Sequence, residues 1–223
     1  MTHLALLALA WLFYFIVHTL LASLGAKRWV AARRPGWMPA YRLLFNLQAA
    51  ILLLPPLWLT YSYEGAMLWA WRGAWFWVAN GLAALAAAGF LWSLRWYDGQ
   101  EFLGLRQWRA RETSVEDQER LHLSPLHRWV RHPWYFLGLI ILWTRDMNAA
   151  WLLTAAFASA YLWIGSRFEE RKLLLYHGEA YRRYRERVPG LIPLPWRHLD
   201  AGEAAQLARA AARRNDTGQE NTD

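Results

Sequence analysis

Residues 4–24 read LALLALAWLFYFIVHTLLASL, an apolar run without a charged side chain. About 20 such residues are enough for a helix to cross the hydrocarbon core of a bilayer. A cleaved signal peptide is the alternative, but residues 1–3, MTH, lack the Lys or Arg that its amino-terminal region needs. Four basic residues soon follow the run, as after a helix that stays in the membrane: Lys27, Arg28, Arg33 and Arg34. We therefore expect residues 4–24 to form a first transmembrane helix.

The composition agrees with a membrane protein. Of the 223 residues, 56% are hydrophobic and 17 are Trp. No Cys is present, which excludes a disulfide-stabilised fold, a Cys-ligated zinc or iron–sulfur site and a thiolate nucleophile on the chain itself. The net charge of +8 is compatible with nucleic acid, acidic substrates or anionic lipid, so the positions of the charges must decide among these partners.

Two further segments are long and apolar enough to cross a bilayer, residues 43–63 and 74–94. Pro55 and Pro56 lie inside the second segment, where we expect them to kink or interrupt the helix. The third contains alanines at every fourth position, Ala79, Ala83 and Ala87. We expect these alanines to form a face that another helix approaches closely.

The last apolar region is divided in two. Residues 134–143, WYFLGLIILW, are too few to cross a bilayer alone, and residues 150–165 follow after a short polar stretch. This pattern predicts a helical hairpin over 134–165. The fold class is therefore an all-α integral membrane protein of about five transmembrane helices, three spans plus a carboxy-terminal hairpin.

Charge placement predicts the orientation. Five Lys/Arg lie in residues 25–42, seven in 95–133 and eleven from 167 onward, whereas the remaining two, Arg72 and Arg145, fall in loops on the other side. The positive-inside rule then places the N-terminus outside and the C-terminus in the cytoplasm, and we expect a bacterial inner membrane. Because the cations are used for topology and for contact with membrane lipids, no nucleic-acid partner is expected.

Several common kinds of site are not indicated. The sequence contains no GxxxxGK[ST] and no strand-associated GxGxxG, and it has no GxSxG elbow. His122, His127 and His132 recur every five residues, which rotates successive side chains by about 140° on a helix and scatters them. No metal site is therefore predicted.

Three polar clusters border the last apolar region. They are RHPWY (131–135), RFEERK (167–172) and YRRYRERVP (181–189). Arg, His, Trp and Tyr are also favoured at headgroup depth, so RHPWY alone fits a membrane-interface belt. RFEERK alone fits a solvated helix end, and the tyrosines of the third cluster alone fit packing on lipid. In this order, however, they resemble the RHPxY, EExxL and YxxYxxRVP pattern of the isoprenylcysteine carboxyl methyltransferase and phospholipid methyltransferase superfamily, over about residues 97–195. FLGLRQ (102–107) and the segment YFIVHTLLAS resemble the branch that holds bacterial methanethiol S-methyltransferases and NnrU-type proteins.

This resemblance implies an S-adenosylmethionine-dependent methyltransferase in which residues 97–199 form the cofactor-binding region, with the helical hairpin 134–165 inside it and a cytoplasmic carboxy-terminal segment. Residues 1–96 would form the amino-terminal membrane region, and 200–223 a tail consisting of a short basic helix and a disordered run. The methyl acceptor would be a small thiol or a lipid-like molecule. The implied cofactor-binding residues are Arg131, His132, Pro133, Tyr135, Glu169, Glu170, Tyr181 and Tyr184. The implied catalytic residues are Arg187 and Glu170, and the implied substrate-binding residues are Arg106 and Gln107.

Two other functions remain open at this point. Sterol and steroid reductases resemble the same superfamily in the carboxy-terminal half, and an NADPH phosphate would need cations such as Arg182, Arg183 and Arg185. The NnrU resemblance also allows a membrane accessory protein without catalysis. Glutamates at a bilayer edge are costly without a function, and Glu169 and Glu170 therefore favour a retained cofactor site.

Overall fold

The computed structural model describes residues 2–115, 121 and 123–219, with side chains described as far as 211. Its elements, in chain order, are the helices α1 Thr2–Ala22, α2 Leu24–Arg33 and α3 Met38–Tyr61, strand β1 Met67–Trp69, helices α4 Ala74–Ser93, α5 Gly99–Leu103, α6 Leu105–Ala110 and α7 Pro133–Trp143, strand β2 Met147–Asn148, and helices α8 Ala149–Arg187 and α9 Ala201–Gln219. Short 3₁₀ turns lie at Pro35–Trp37, Leu94–Trp96 and Pro125–Arg128.

In the described part of the chain, four helical segments are long and apolar enough to cross a membrane: Thr2–Ala22, Pro35–Tyr61, Ala74–Trp96 and Ala149–Arg187. The predicted integral membrane character is supported by their length and composition. Helix α7 has 11 residues and is about 16 Å long, roughly half the thickness of a bilayer core. It therefore does not span on its own.

The predicted hairpin is present, but its second arm is much longer than predicted. Helix α8 does not end near residue 165 but continues to Arg187, with one non-helical residue, Gly178, inside it. Residues 166–177 are rich in Glu, Arg, Lys and Leu and contain neither Gly nor Pro. These residues favour helix, so nothing in the sequence ends α8 at the edge of the apolar run.

By its contacts the chain forms two compact units, each made of three segments. The first comprises Met1–Asn80, Leu94–Asp117 and Arg145–Ala158. The second comprises Gly81–Ser93, Gln118–Thr144 and Ser159–Asp223. The sequence-based division at residues 96/97 and 199/200 concerns function and stays a prediction.

The core of the first unit joins α1, α3 and the start of α8. Leu7, Trp11 and Ala150 are buried together. The Trp11 indole donates to Thr154 Oγ1 at 3.0 Å, and that hydroxyl lies 2.7 Å from Thr60 Oγ1. Helix α3 continues through Pro55 and Pro56, so these prolines do not interrupt it, and the kink that was expected as the alternative stays a prediction. The all-α prediction also missed the antiparallel pairing of β1 with β2.

In the second unit, α4 packs against α7 through small side chains. Trp134 donates to Ser93 Oγ at 2.7 Å, and Gly89 faces Leu137. The predicted alanine face is only partly correct, because Ala87 is exposed whereas Ala86 is buried. On a helix, each step of four residues rotates the side chain by about 40°, so Ala87 has turned away from the face of Ala79. Ala86 is seven residues after Ala79 and therefore lies on nearly the same face as Ala79.

The carboxy-terminal tail begins with a helix, as predicted. Helix α9 extends from Ala201 to Gln219 and is longer than the predicted basic helix; the expected disorder stays a prediction, and residues 220–223 lie outside the described part. Asp200 and Glu203 cap each other's backbone N–H groups at 2.8 and 2.9 Å. Ala204 packs with Tyr181, Tyr184 and Leu199 in a buried cluster.

Candidate functional site

The first and third motif segments are joined through their backbones in the second unit. The N–H of Arg131 donates to the carbonyl of Pro189 at 2.9 Å, and the N–H of His132 donates to the carbonyl of Gly190 at 3.1 Å. Pro133, which has no N–H to donate, starts α7. The RHP segment is therefore fixed against the RVPG segment, although more than 50 residues separate them.

One carboxylate oxygen of the second motif accepts three hydrogen bonds from the first motif. Oε1 of Glu170 accepts hydrogen bonds from Arg131 Nε at 2.9 Å, Arg131 Nη2 at 2.7 Å and His132 Nε2 at 3.1 Å. The remaining guanidinium nitrogen of Arg131 donates to the carbonyls of Arg185 and Val188. Because Glu170 is 5% exposed, its charge depends on these donors. Arg131 and Glu170 thus hold all three motifs together.

His132 lies between two carboxylates. Its Nδ1 is 3.4 Å from Glu169 Oε2, and its Nε2 is 3.1 Å from Glu170 Oε1. A neutral imidazole has one N–H, so only the protonated ring can donate to both glutamates. Burial alone would favour the neutral ring, but the hydrogen bonds and charges of Glu169 and Glu170 outweigh it and raise the pKa of His132 above its ordinary value.

Glu169 is the more accessible of the two glutamates, with 48% of its side chain exposed. Its Oε2 accepts a hydrogen bond from the Tyr135 hydroxyl at 3.1 Å. The Tyr135 ring is parallel to that of His132, with centroids 5.2 Å apart. A carboxylate, a phenol and an imidazolium therefore meet at a surface that a ligand can reach.

The two predicted tyrosines are both buried but differ in their hydrogen bonds. Tyr184 donates to the carbonyl of His127 at 2.7 Å, so its hydroxyl has a structural partner. The Tyr181 hydroxyl is buried without a partner in the described part of the chain, and its ring packs edge-on against Tyr184. A buried phenol without an acceptor is unfavourable unless a ligand supplies one.

Three predicted site residues do not join this cluster in the second unit. Arg187 is exposed and pairs with Glu203 at 3.0 Å, and its catalytic role stays a prediction. Arg106 belongs to the first unit, where it pairs with Asp98 and Glu101. Gln107 is in the same unit, with a buried side-chain oxygen lacking a partner in the described part. The role of Arg106 and Gln107 in substrate binding stays a prediction.

Sequence reasoning missed two glycines that shape the site. Gly178 has φ 52° and ψ −123°, a backbone conformation that residues other than glycine rarely adopt. A Cβ at Gly190 would lie 3.3 Å from Arg131 Nη2, so a larger residue there would crowd the guanidinium. Each glycine is isolated in its segment, YHGEAY for Gly178 and RVPG for Gly190. An isolated glycine often marks an unusual backbone conformation or a close approach, and this was the sequence feature that could have revealed both positions.

Two of the arginines considered for an NADPH phosphate are engaged elsewhere. Arg182 and Arg183 pair with Glu179 at 3.2 and 3.3 Å, so these two guanidinium groups already have acidic partners; for Arg185 the structure shows a bond of the backbone carbonyl only, which accepts from Arg131. Among the described residues no group of three or more His, Cys, Asp or Glu could hold a metal ion, and His122 lies outside them.

Similar proteins were found among curated sequences. The chain is 34% identical over 200 residues to a methanethiol S-methyltransferase of Mycobacterium tuberculosis, covering 83% of this chain and 76% of that protein. It is 30% identical over 192 residues to methanethiol S-methyltransferase 2 of Bradyrhizobium diazoefficiens, covering 81% and 69%. A methanethiol S-methyltransferase of a Pseudomonas species is 29% identical over 189 residues, covering 79% and 68%. No protein-family model and no solved structure matches the chain.

Proposed function

Because the chain belongs to the methanethiol S-methyltransferase family, we propose that it is a membrane-embedded, S-adenosylmethionine-dependent methyltransferase that acts on the sulfur of a small thiol. The observation that carries the proposal is the meeting of the three motifs at Arg131, His132 and Glu170. The names of the relatives favour neither a reductase nor a non-catalytic accessory protein.

The residues at this cluster fit S-adenosylmethionine, which offers an ammonium, a ribose diol, a carboxylate and an adenine. The half-exposed carboxylate of Glu169 suits the ammonium or the ribose hydroxyls. The unpartnered Tyr181 hydroxyl and the ring of Tyr135 would supply a hydrogen bond and an aromatic face. When bound, the cofactor supplies an electrophilic methyl group on a sulfonium.

The chain's own part in the reaction is positioning and charge balance. Arg131 uses all its guanidinium nitrogens inside the protein, so we assign it to holding Glu170 and the RVPG segment. Glu170, in turn, fixes His132. Each ring nitrogen of His132 faces a glutamate, which makes the ring unsuitable as a base for the thiol proton but suitable for keeping Glu169 in place.

The test is methyl transfer by the full chain purified in detergent, with methanethiol as acceptor and dimethyl sulfide as the measured product. Binding of S-adenosylhomocysteine is measured in parallel by calorimetry. Glu170→Gln is expected to abolish saturable binding, because it removes the charge that orders Arg131 and His132. Glu179→Gln, an exposed glutamate of the same helix with surface pairs only, is the matched control and is expected to bind as the wild type does.

Two outcomes would contradict the proposal. If the wild type does not bind S-adenosylhomocysteine, the proposed cofactor is wrong. If it binds S-adenosylhomocysteine but methylates no thiol, the proposed acceptor is wrong, while the proposed cofactor site is retained.

A further inference from the structure

The loop between α3 and α4 forms an aromatic pocket that the methyl-transfer proposal does not use. Trp69, Ala70, Trp71, Arg72 and Trp75 line a cavity of about 420 Å³, and we call these residues the tryptophan pocket. Helix α3 ends at Tyr61 and α4 begins at Ala74. The pocket therefore lies in the loop between two helices that are long and apolar enough to cross a membrane, where lipid headgroups are expected.

All the polar side-chain groups of the tryptophan pocket are hydrogen-bond donors. They are three indole N–H groups and one guanidinium. The Nε1 of Trp71 is buried without an acceptor in the described part of the chain, which is unfavourable unless a ligand supplies one. A lining that only donates is complementary to a ligand that only accepts, such as a phosphate.

The backbone around the tryptophan pocket is held by the short sheet. Met67 and Trp69 of β1 pair with β2, and the backbone N–H of Trp71 donates to Asp146 Oδ1 at 2.9 Å. The carboxylate of Asp146 is therefore engaged by the main chain. The Trp71 indole N–H and the exposed Arg72 guanidinium have no partner among the described residues and remain for a ligand.

We propose that the tryptophan pocket binds the phosphate of a membrane phospholipid. Arg72 and the Trp71 N–H donate to the phosphate oxygens, and the rings of Trp69 and Trp75 contact the glycerol and the upper acyl chains. A belt of interfacial tryptophans explains exposed rings such as Trp77, which is 75% exposed. It does not explain a cavity, or a buried indole N–H without an acceptor.

The experiment is a titration of the full chain, in a non-ionic detergent, with dihexanoyl phosphatidylglycerol, followed by native mass spectrometry. Dihexanoylglycerol, which lacks the phosphate, and inorganic phosphate are titrated separately. We expect saturable binding of the phospholipid alone. Trp71→Phe, which keeps the ring and removes the N–H, should weaken it about fivefold, and Arg72→Gln about tenfold or more.

Trp77→Phe is the matched control, because it makes the same change at an exposed tryptophan of α4 outside the pocket, and it should leave the affinity unchanged. Thermal unfolding of each variant confirms that it is folded. Equal binding of dihexanoylglycerol, or wild-type affinity in both pocket variants, would overturn the proposal. If inorganic phosphate binds as tightly as the phospholipid, the ligand is a free anion and the lipid proposal is also overturned.

Discussion

Tyr181 and Tyr184 lie one helical turn apart and are equally buried, yet only Tyr184 has a hydrogen-bond partner among the described residues. Removing an unpartnered buried hydroxyl relieves a desolvation cost, whereas removing the Tyr184 hydroxyl loses its hydrogen bond to the His127 carbonyl. Tyr181→Phe is therefore expected to raise the free energy of unfolding by about 1 kcal/mol without cofactor, and Tyr184→Phe to lower it by about 1 kcal/mol.

The same pair distinguishes a ligand-binding hydroxyl from a structural one. If Tyr181 bonds the cofactor, Tyr181→Phe should also weaken S-adenosylhomocysteine binding about fivefold, the effect of one hydrogen bond. Unfolding in denaturant and calorimetric titration measure the two effects. Unchanged affinity in Tyr181→Phe would exclude its hydroxyl from the cofactor site.

His132 makes stability depend on pH. Its pKa is raised in the folded protein above the ordinary value of 6.5, so its contribution to the free energy of unfolding is complete below that value. The contribution is lost as the pH rises through the folded-state pKa. We expect the difference in melting temperature between the wild type and His132→Gln to be larger at about pH 6 than at about pH 9. A difference that grows with pH would contradict an imidazolium held between two glutamates.

At the scale of elements, Gly178 decides the path of the last part of α8. The helix is broken there by φ 52° and ψ −123°, after which the chain continues to Tyr181, Tyr184 and the RVPG segment. Gly178→Ala is expected to lower the free energy of unfolding by about 1–3 kcal/mol, since the alanine Cβ is strained in this region. It should also weaken cofactor binding.

Gly165→Ala is the control for this prediction, because Gly165 lies in the same helix and a Cβ there would meet nothing within 4 Å. We expect it to be neutral or to stabilise by about 0.5–1 kcal/mol, as alanine favours helix over glycine. Chemical denaturation measures both. Equal effects of the two substitutions would mean that the break at Gly178 is not required.

At the scale of the whole molecule, the distribution of Lys and Arg predicts which loops face the cytoplasm. The chain has no Cys, so a single introduced thiol is an unambiguous reporter of topology. Ser62→Cys, after α3, should react with a membrane-impermeant maleimide in spheroplasts. Ser114→Cys, after α6, should react only in permeabilised cells or inverted vesicles. The reverse labelling pattern would overturn the orientation with the N-terminus outside.

The sequence alone determined the apolar helices, the helical hairpin and the order of the three motifs. Hydropathy and segment length are properties of consecutive residues, so a membrane helix can be recognised before its neighbours are known. The same local reasoning placed the start of α8 correctly and its end wrongly. The apolar run stops near residue 165, but residues 166–177 are good helix formers, so the helix continues beyond the apolar run.

Only the tertiary structure decided which polar groups meet. Arg131 and Glu170 are 39 residues apart, and the Tyr184 hydroxyl reaches a carbonyl 57 residues away. The sequence placed Arg131 among the cofactor-binding residues and Arg187 among the catalytic ones, without showing which acidic side chain each would meet. The structure directs Arg187 to Glu203 and Arg131 to Glu170, because the backbone pairing of residues 131–132 with 189–190 fixes where each guanidinium can extend. Such pairing depends on the packing of distant segments, which no local pattern of residues specifies.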